Sequence, residues 1–207
     1  MIDGANICML ESKIPCKSDT VQEIGIEVDK LKTAIDLVKT DEVTLNISEG
    51  KLHLSGGRFT YHLDTLMPQY IRRGSAAKVP WGVIFNVDGA ALHEGLVAVL
   101  TSYPKKELGS FGVDFYYEKG KGFILYDQEH QRVDAVYKPE ELTIKTDSDK
   151  PQLTRIPCQY IEDMRTALKG AEVCQVKFLQ EAPLAILIKH TGLVVGWVFA
   201  PRILKED

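Results

Sequence analysis

The sequence predicts an α+β protein of two similar halves, each an antiparallel sheet with its helices on one face. Three observations carry this. Apolar and polar residues alternate over short runs through most of the chain, the pattern of half-buried strands. Only three stretches have helical spacing, near residues 30–39, 88–101 and 159–168. The chain also repeats itself: at an offset of 130 residues Leu31 matches Ile161, Ala34 matches Met164, Val38 matches Leu168 and Lys39 matches Lys169. Glu42-Val43 then matches Glu172-Val173, and after some drift Thr60-Tyr61-His62-Leu63 falls opposite Trp197-Val198-Phe199-Ala200.

Taken in order, residues 6–10 read as a strand after an Asp3-Gly4 turn. QEIGIEV alternates and predicts a strand over residues 22–28, with Asp29 as the cap of a helix over residues 30–39. EVTLNIS, KLHLS and RFTYHL are three further strands, with turns at Glu49-Gly50 and Gly56-Gly57. Residues 67–80, with Pro68, Gly74, Pro80 and the cations Arg72, Arg73 and Lys78, break the alternation and form a linker. The division is therefore residues 1–66, the linker, and residues 81–207. In the second part a strand over residues 83–87 leads to a helix capped by Asp88. Strands follow at GVDFYYE, GFILYD, RVDAVY, ELTIKT and QLTRI, then a helix over residues 159–168 stopped by Gly170, then VCQVKFL, LAILIKH and VVGWVFA.

At 207 residues, 44% of them hydrophobic and 26% charged, the chain can bury one large or two modest cores. It contains no apolar run long enough to span a bilayer and no signal-like N-terminus, which argues against export and membrane insertion. Cys8, Cys16, Cys158 and Cys174 have no C-x-x-C spacing, so buried thiols are expected, with no disulfide framework or zinc site. A net charge of −4 excludes a globally basic nucleic-acid binder but leaves room for a local cationic surface.

Catalytic signatures are missing: there is no H-E-x-x-H, P-loop, G-x-S-x-G or strand-borne G-x-G-x-x-G. An enzyme is not expected, and neither a cofactor nor a metal is implied. His53, His62, His93 and His190 read as surface or satisfied core residues. Gly120-Lys121-Gly122 reads as a hairpin turn, and Asp127, Glu129 and Asp134 as solvated loop and edge charges. Lys30, Lys32 and Lys39 on one predicted helix, with Arg165 and Lys169 on another, would form a modest phosphate track if they shared a surface. Asp29, Asp36, Glu162 and Asp163 dilute it, and a mixed solvated helix face accounts for the same residues.

Phe199-Ala200-Pro201-Arg202-Ile203 resembles the C-terminal L-A-P-[KR]-I signature of the proliferating cell nuclear antigen (PCNA) family of DNA sliding clamps. Ile2-Asp3-Gly4-Ala5-Asn6-Ile7-Cys8-Met9 resembles the family's V-D-x-A-N-V-x-M run, EIGIEVDKLK the strand and helix after it, and Pro183-Leu184 its M-P-L element. These elements keep the family's order along the whole chain, and Pro68 with Ile71-Arg72-Arg73 is most similar to archaeal members. The resemblance implies two sliding-clamp domains, the first N-terminally incomplete because Met1 stands where the family has an earlier strand, helix and further strands.

What the resemblance implies about function is a ring of three subunits, homotrimeric or shared with paralogous subunits. The ring encircles duplex DNA without reading its sequence and tethers DNA polymerase, a clamp loader and other enzymes. It would be cytoplasmic and nucleoid-associated in an archaeon, nuclear in a eukaryote. Lys30, Lys32, Lys39, Arg165 and Lys169 would face DNA. Arg58, Phe59, Tyr61 and Leu63 of one subunit would meet Arg132, Val133, Val136 and Tyr137 of the next. Client peptides would dock on Ile2, Asn6, Ile7, Met9, Pro183, Val198, Phe199, Ala200, Pro201 and Ile203, under a lid of Leu66 and Ile71, with Arg72, Arg73 and Lys78 meeting acidic client segments. The alternative is a clamp-like interaction protein that binds replication partners without encircling DNA.

Overall fold

The structure, a computed structural model, describes residues 8–13, 17–18, 23–66, 79–127 and 133–201. Its elements are β1 (Cys8–Lys13), α1 (Val28–Val38), β2 (Thr44–Ser48), β3 (Lys51–Gly56), β4 (Phe59–Asp64), β5 (Val83–Asp88), α2 (Gly89–Thr101), β6 (Gly112–Glu118), β7 (Gly122–Asp127), β8 (Asp134–Tyr137), β9 (Thr143–Thr146), β10 (Gln152–Pro157), α3 (Cys158–Leu168), β11 (Val173–Phe178), β12 (Leu184–His190) and β13 (Leu193–Phe199). Two compact units result: Lys17–Gly74, and Met1–Cys16 together with Ser75–Asp207. The expected division put residues 1–66 together. Residues 8–13 instead belong with the C-terminal unit, because β1 pairs along its whole length with β13, Cys8 opposite Phe199 and Lys13 opposite Val194.

The smaller unit is α1 on a β2-β3-β4 meander. Ala34 and Val38 of α1 are buried with Leu52, Leu54 and Leu63 of the sheet, the faces that the helical and alternating periods select. Over the described residues 23–28 the strand expected at residues 22–28 does not form. Gly25 makes a single bridge to Leu66, and Val28 already begins the helix. The first turn has no side-chain cap, since Glu27 holds the cap position through its backbone alone; Asp29, expected to cap, lies inside the helix.

Gly56 ends β3 directly beneath the end of α1. A Cβ there would strike the side chains of Val38 and Thr40, so only glycine lets the sheet pass this close. The turn therefore falls one residue later than expected, on Gly57 and Arg58, with Gly57 at φ +58°.

The larger unit contains the βαβββ pattern twice, β5-α2-β6-β7-β8 and β10-α3-β11-β12-β13. The leading strand of each joins the meander of the other: β5 pairs with β11, and β10 with β6. Two sheets follow, β1-β13-β12-β11-β5-β9 and β10-β6-β7-β8. Phe85, Phe115, Phe123, Phe178, Leu92, Leu96, Ile161 and Met164 lie at 0% exposure in one core between helices and sheets. Asp88 caps α2 as expected, its Oδ1 accepting from Ala91 N at 2.8 Å.

The repeat is borne out. α1 and α3 are both eleven residues long and begin at Val28 and Cys158, the offset of 130 read in the sequence. The later alignment needs correction. Tyr61 packs against its unit's core, whereas Val198 lies on the face opposite to Val195 and Phe199. Counting back through the two-residue hairpin turns puts Phe59 opposite Leu193 and Tyr61 opposite Val195.

Burial sets the chemistry of several side chains in this unit. Tyr116 donates to Glu118, and that bond raises its phenol to about 12; Tyr117, desolvated and donating to Asp147 Oδ1 at 2.8 Å, is also pushed to about 12. Both stabilise the fold as neutral phenols. Their contribution is whole below the ordinary value of 10.0 and is lost as pH rises through about 12. We expect thermal stability to decline between pH 10 and 12, in step with phenolate absorbance. Unchanged stability there would contradict these two bonds. Cys158 and Cys174 are buried free thiols, as the sequence implied, and desolvation pushes Cys174 to about 12.

Candidate functional site

Of the five cations expected to face DNA, three lie on or next to α1. Lys32 and the left-handed cap residue Lys39 project from the side opposite Ala34 and Val38, both exposed. Lys30 leaves on a flank and its Nζ bonds Glu27 Oε1 at 2.9 Å, so it stands apart from that face. On α3, Arg165 makes a two-pronged pair with Glu162, 2.8 Å from Nε and 2.7 Å from the terminal nitrogen. Lys169 follows the helix, exposed. By the repeat, Lys169 is the counterpart of Lys39, while Arg165 stands where α1 has Ile35 and Glu162 where it has Lys32. Among the described residues Lys32, Lys39 and Lys169 thus keep their charge unpaired, and Lys30 and Arg165 are locally neutralised. α2, which carries no Lys or Arg, adds nothing to the track.

The residues expected at subunit contacts fall into two groups, exposed and core-facing. Phe59 on β4 and Val136 on β8 are 60% and 57% exposed. Leu63 and Tyr137 are core residues instead. Leu63 is buried under α1, and Tyr137 stacks on Phe123 and donates to Ala91 O at 3.0 Å. Tyr61 and Val133 are half-buried and pack on their units' cores, and Arg58 is exposed in the β3–β4 turn. Arg132 lies outside the described residues.

β4 and β8 themselves are edges: among the described residues each pairs on one side only, with β3 and β7 respectively. The edge of β13 that corresponds to the bare edge of β4 is covered by β1.

Part of the expected peptide site comes together at the end of β13. Met9 of β1 and Ala185 of β12 flank Val198 across the sheet, and Pro183 precedes Leu184, the partner of Phe199. Pro183, Ala200 and Pro201 are half-buried there. Phe199 is not a pocket wall: it is fully buried, stacked on Trp197 at 5.7 Å. Leu66 belongs to the other unit, 42% exposed, bonded through its N–H to Gly25 O. Ile2, Asn6, Ile7, Ile71, Ile203 and the linker cations Arg72, Arg73 and Lys78 lie outside the described residues.

Asp127 and Asp134 do not form a cluster: Asp127 is buried in β7, Asp134 is exposed on β8, and Glu129 is outside the described residues. Among the described residues no group of three His, Cys, Asp or Glu side chains could hold a metal ion, and no helix is long and apolar enough to cross a membrane.

One arrangement escaped the sequence reading. His53 and His62 face each other across β3 and β4, with their Nδ1 atoms 2.6 Å apart. The signal was present in the hairpin register. A turn at Gly57-Arg58 pairs residue 53 with residue 62, whereas the expected turn at Gly56-Gly57 pairs it with Thr60.

No family model matches the chain, and no curated protein matches its sequence. Its backbone is nonetheless similar to solved structures along nearly its full length. PCNA from Thermococcus kodakaraensis is 17% identical with a TM-score of 0.74, covering 98% of this chain and 85% of that one. A. fulgidus PCNA bound to the C-terminal region of FEN-1 is 16% identical with a TM-score of 0.83, covering 99% and 84%. The PCNA2–PCNA3 complex of Sulfolobus tokodaii contains a chain 15% identical with a TM-score of 0.74, covering 98% and 84%. With its antiparallel sheets, helices on one face and repeated βαβββ order, the chain has the fold of the PCNA sliding clamps.

Proposed function

We propose that the chain is a subunit of a ring that encircles duplex DNA and tethers replication and repair enzymes to it, with no catalytic step of its own. The observation that carries this reading is that β4 and β8, outermost strands of different sheets, each pair on one side only among the described residues, set against the internal pairing of β1 with β13. An exposed edge strand is a template for another chain, and joining two different edges head to tail repeats until the ring closes. Phe59 and Val136 supply apolar surface at the joint.

Lys32, Lys39 and Lys169 lie on equivalent helices of the repeat and would give each subunit a few phosphate contacts. Few contacts suit sliding, since each neutralised phosphate releases counterions without reading a base. The apolar strip around Val198, Pro183 and Pro201 would take a client's hydrophobic anchors. The FEN-1 region bound to the A. fulgidus clamp and the paired subunits of the S. tokodaii complex supply the analogy for clients and for assembly.

Loading the chain onto nicked circular DNA with a clamp loader and ATP tests the reading. Retention on the circle and release when it is cut linear are expected. Equal retention on both forms would favour the non-encircling interaction protein, which the net charge of −4 and the two neutralised cations also fit.

A further inference from the structure

We infer that His53 and His62 form a site for a divalent transition-metal ion of tetragonal preference, Cu2+ or Ni2+, on the outer face of the β3–β4 hairpin. The two residues are directly opposed in the register, on the face away from Leu52, Leu54 and Leu63. Their rings meet edge to face, centroids 4.7 Å apart at 80°, and bring the two Nδ1 atoms to 2.6 Å. In the metal-free chain one of these nitrogens donates its proton to the other. The two Nδ1 atoms therefore face each other on the surface of the hairpin.

His53 is already held in the orientation a ligand needs. Its Nε2 lies 2.8 Å from Ser48 Oγ. With Ser48 accepting the Nε2 proton, His53 presents Nδ1 unprotonated, the outer contact that usually fixes a metal-bound imidazole. Among the described residues Nε2 of His62 has no partner, so that ring can carry its proton there and free its own Nδ1. Two neutral imidazoles thus become two ligands by moving one proton between the nitrogens of one ring.

The spacing selects the class of ion. With metal–nitrogen bonds of about 2.0–2.1 Å, two nitrogens at right angles lie about 2.9 Å apart and two at the tetrahedral angle about 3.3 Å. The observed 2.6 Å is closer to the right-angle value, reached by small ring rotations. Square-planar or octahedral coordination by nitrogen and oxygen is the habit of Cu2+ and Ni2+.

The surroundings are polar and open. Asn46 is opposed to His53 from β2, and Ser55 and Thr60 share a 3.1 Å bond in the row beside the histidines. In the row on the other side Asp64 stands 3.9 Å from Lys51 Nζ, its carboxylate 85% exposed. It offers an oxygen on the same face, and water can fill the remaining positions. All of these residues lie in one meander, so the site does not depend on ring formation.

Calorimetric titration of the full chain with NiCl2 is expected to find an ion bound at this pair, more tightly than Zn2+. His53→Gln and His62→Gln should each weaken Ni2+ binding at least tenfold, and Ser48→Ala by a smaller factor. Cu2+ should show nitrogen couplings from two imidazoles in electron paramagnetic resonance. Ni2+ binding unchanged in both His variants, or Zn2+ binding tighter than Ni2+, would overturn the assignment. Should either variant fail to fold, carbethoxylation of the unsubstituted chain decides: Ni2+ must protect His53 and His62 while leaving His93 modified, and equal modification with and without Ni2+ rejects the site.

Discussion

Val136→Asp is expected to convert the assembly to single chains while leaving the fold intact. Val136 is 57% exposed on β8, so an aspartate there costs the isolated chain almost nothing. In the proposed joint the same side chain is covered, and a buried unpaired carboxylate is costly. Loss of an apolar anchor together with burial of that charge should weaken each joint by about 2–4 kcal/mol, roughly 30- to 1,000-fold. Light scattering at micromolar concentration and low salt should give three chains for the unsubstituted protein and one for the variant. A monomeric unsubstituted chain would remove the ring, whereas a variant that still forms the ring would remove only the β4–β8 pairing.

Asp114→Ala is expected to be the most damaging single change to stability. Asp114 is 1% exposed on β6, directly opposite Arg155 on β10, and its two oxygens accept from Nε and a terminal nitrogen of Arg155 at 2.6 Å each. The pair keeps the guanidinium charged, above its ordinary value, and it sits at the seam where the leading strand of one βαβββ element joins the meander of the other. Removing the carboxylate strands a cation whose side chain is 16% exposed, with its stem packed beside Gly112. A penalty of about 3–5 kcal/mol is expected in urea unfolding, a large share of the roughly 5–15 kcal/mol that holds a domain together. Asp114→Leu combined with Arg155→Met should recover most of it, since a packed apolar pair of similar volume strands no charge. A loss below about 1 kcal/mol for Asp114→Ala would mean that water reaches the guanidinium.

Several elements were legible in the chain because their causes are local. Alternation in GVDFYYE and GFILYD, the Asp88 cap and the apolar stripe of α3 each act over a few residues, and all four elements formed where expected. The segment over residues 22–28 shows the limit of such signals. It alternates as well as any strand, yet strand pairing needs a neighbour along its length, and here it finds one bridge.

The candidate site divides along the same line. Membership of an edge or a helix face could be read, and Phe59, Val136, Lys32, Lys39 and Lys169 are exposed. Which strand residues point inward could not be read for Leu63, Tyr137 and Phe199. Pattern alone does not say which of a strand's two faces meets the core, and these three met it. The partners of Lys30 and Arg165 were nearby acids three residues away, and they were read only as dilution of the charge.

By itself the sequence determined the repeat, the helices and most strands, since side-chain period and cap chemistry act within a turn or two of backbone. Tertiary structure alone decided the registers and the edges. Gly56 had to pass beneath the end of α1, which moved the turn by one residue and set His53 against His62. β1 had to find β13 at the far end of the chain, which covers on β13 the edge that β4 leaves bare among the described residues. Both outcomes depend on contacts between residues distant in the chain, where packing and backbone pairing outweigh local preference.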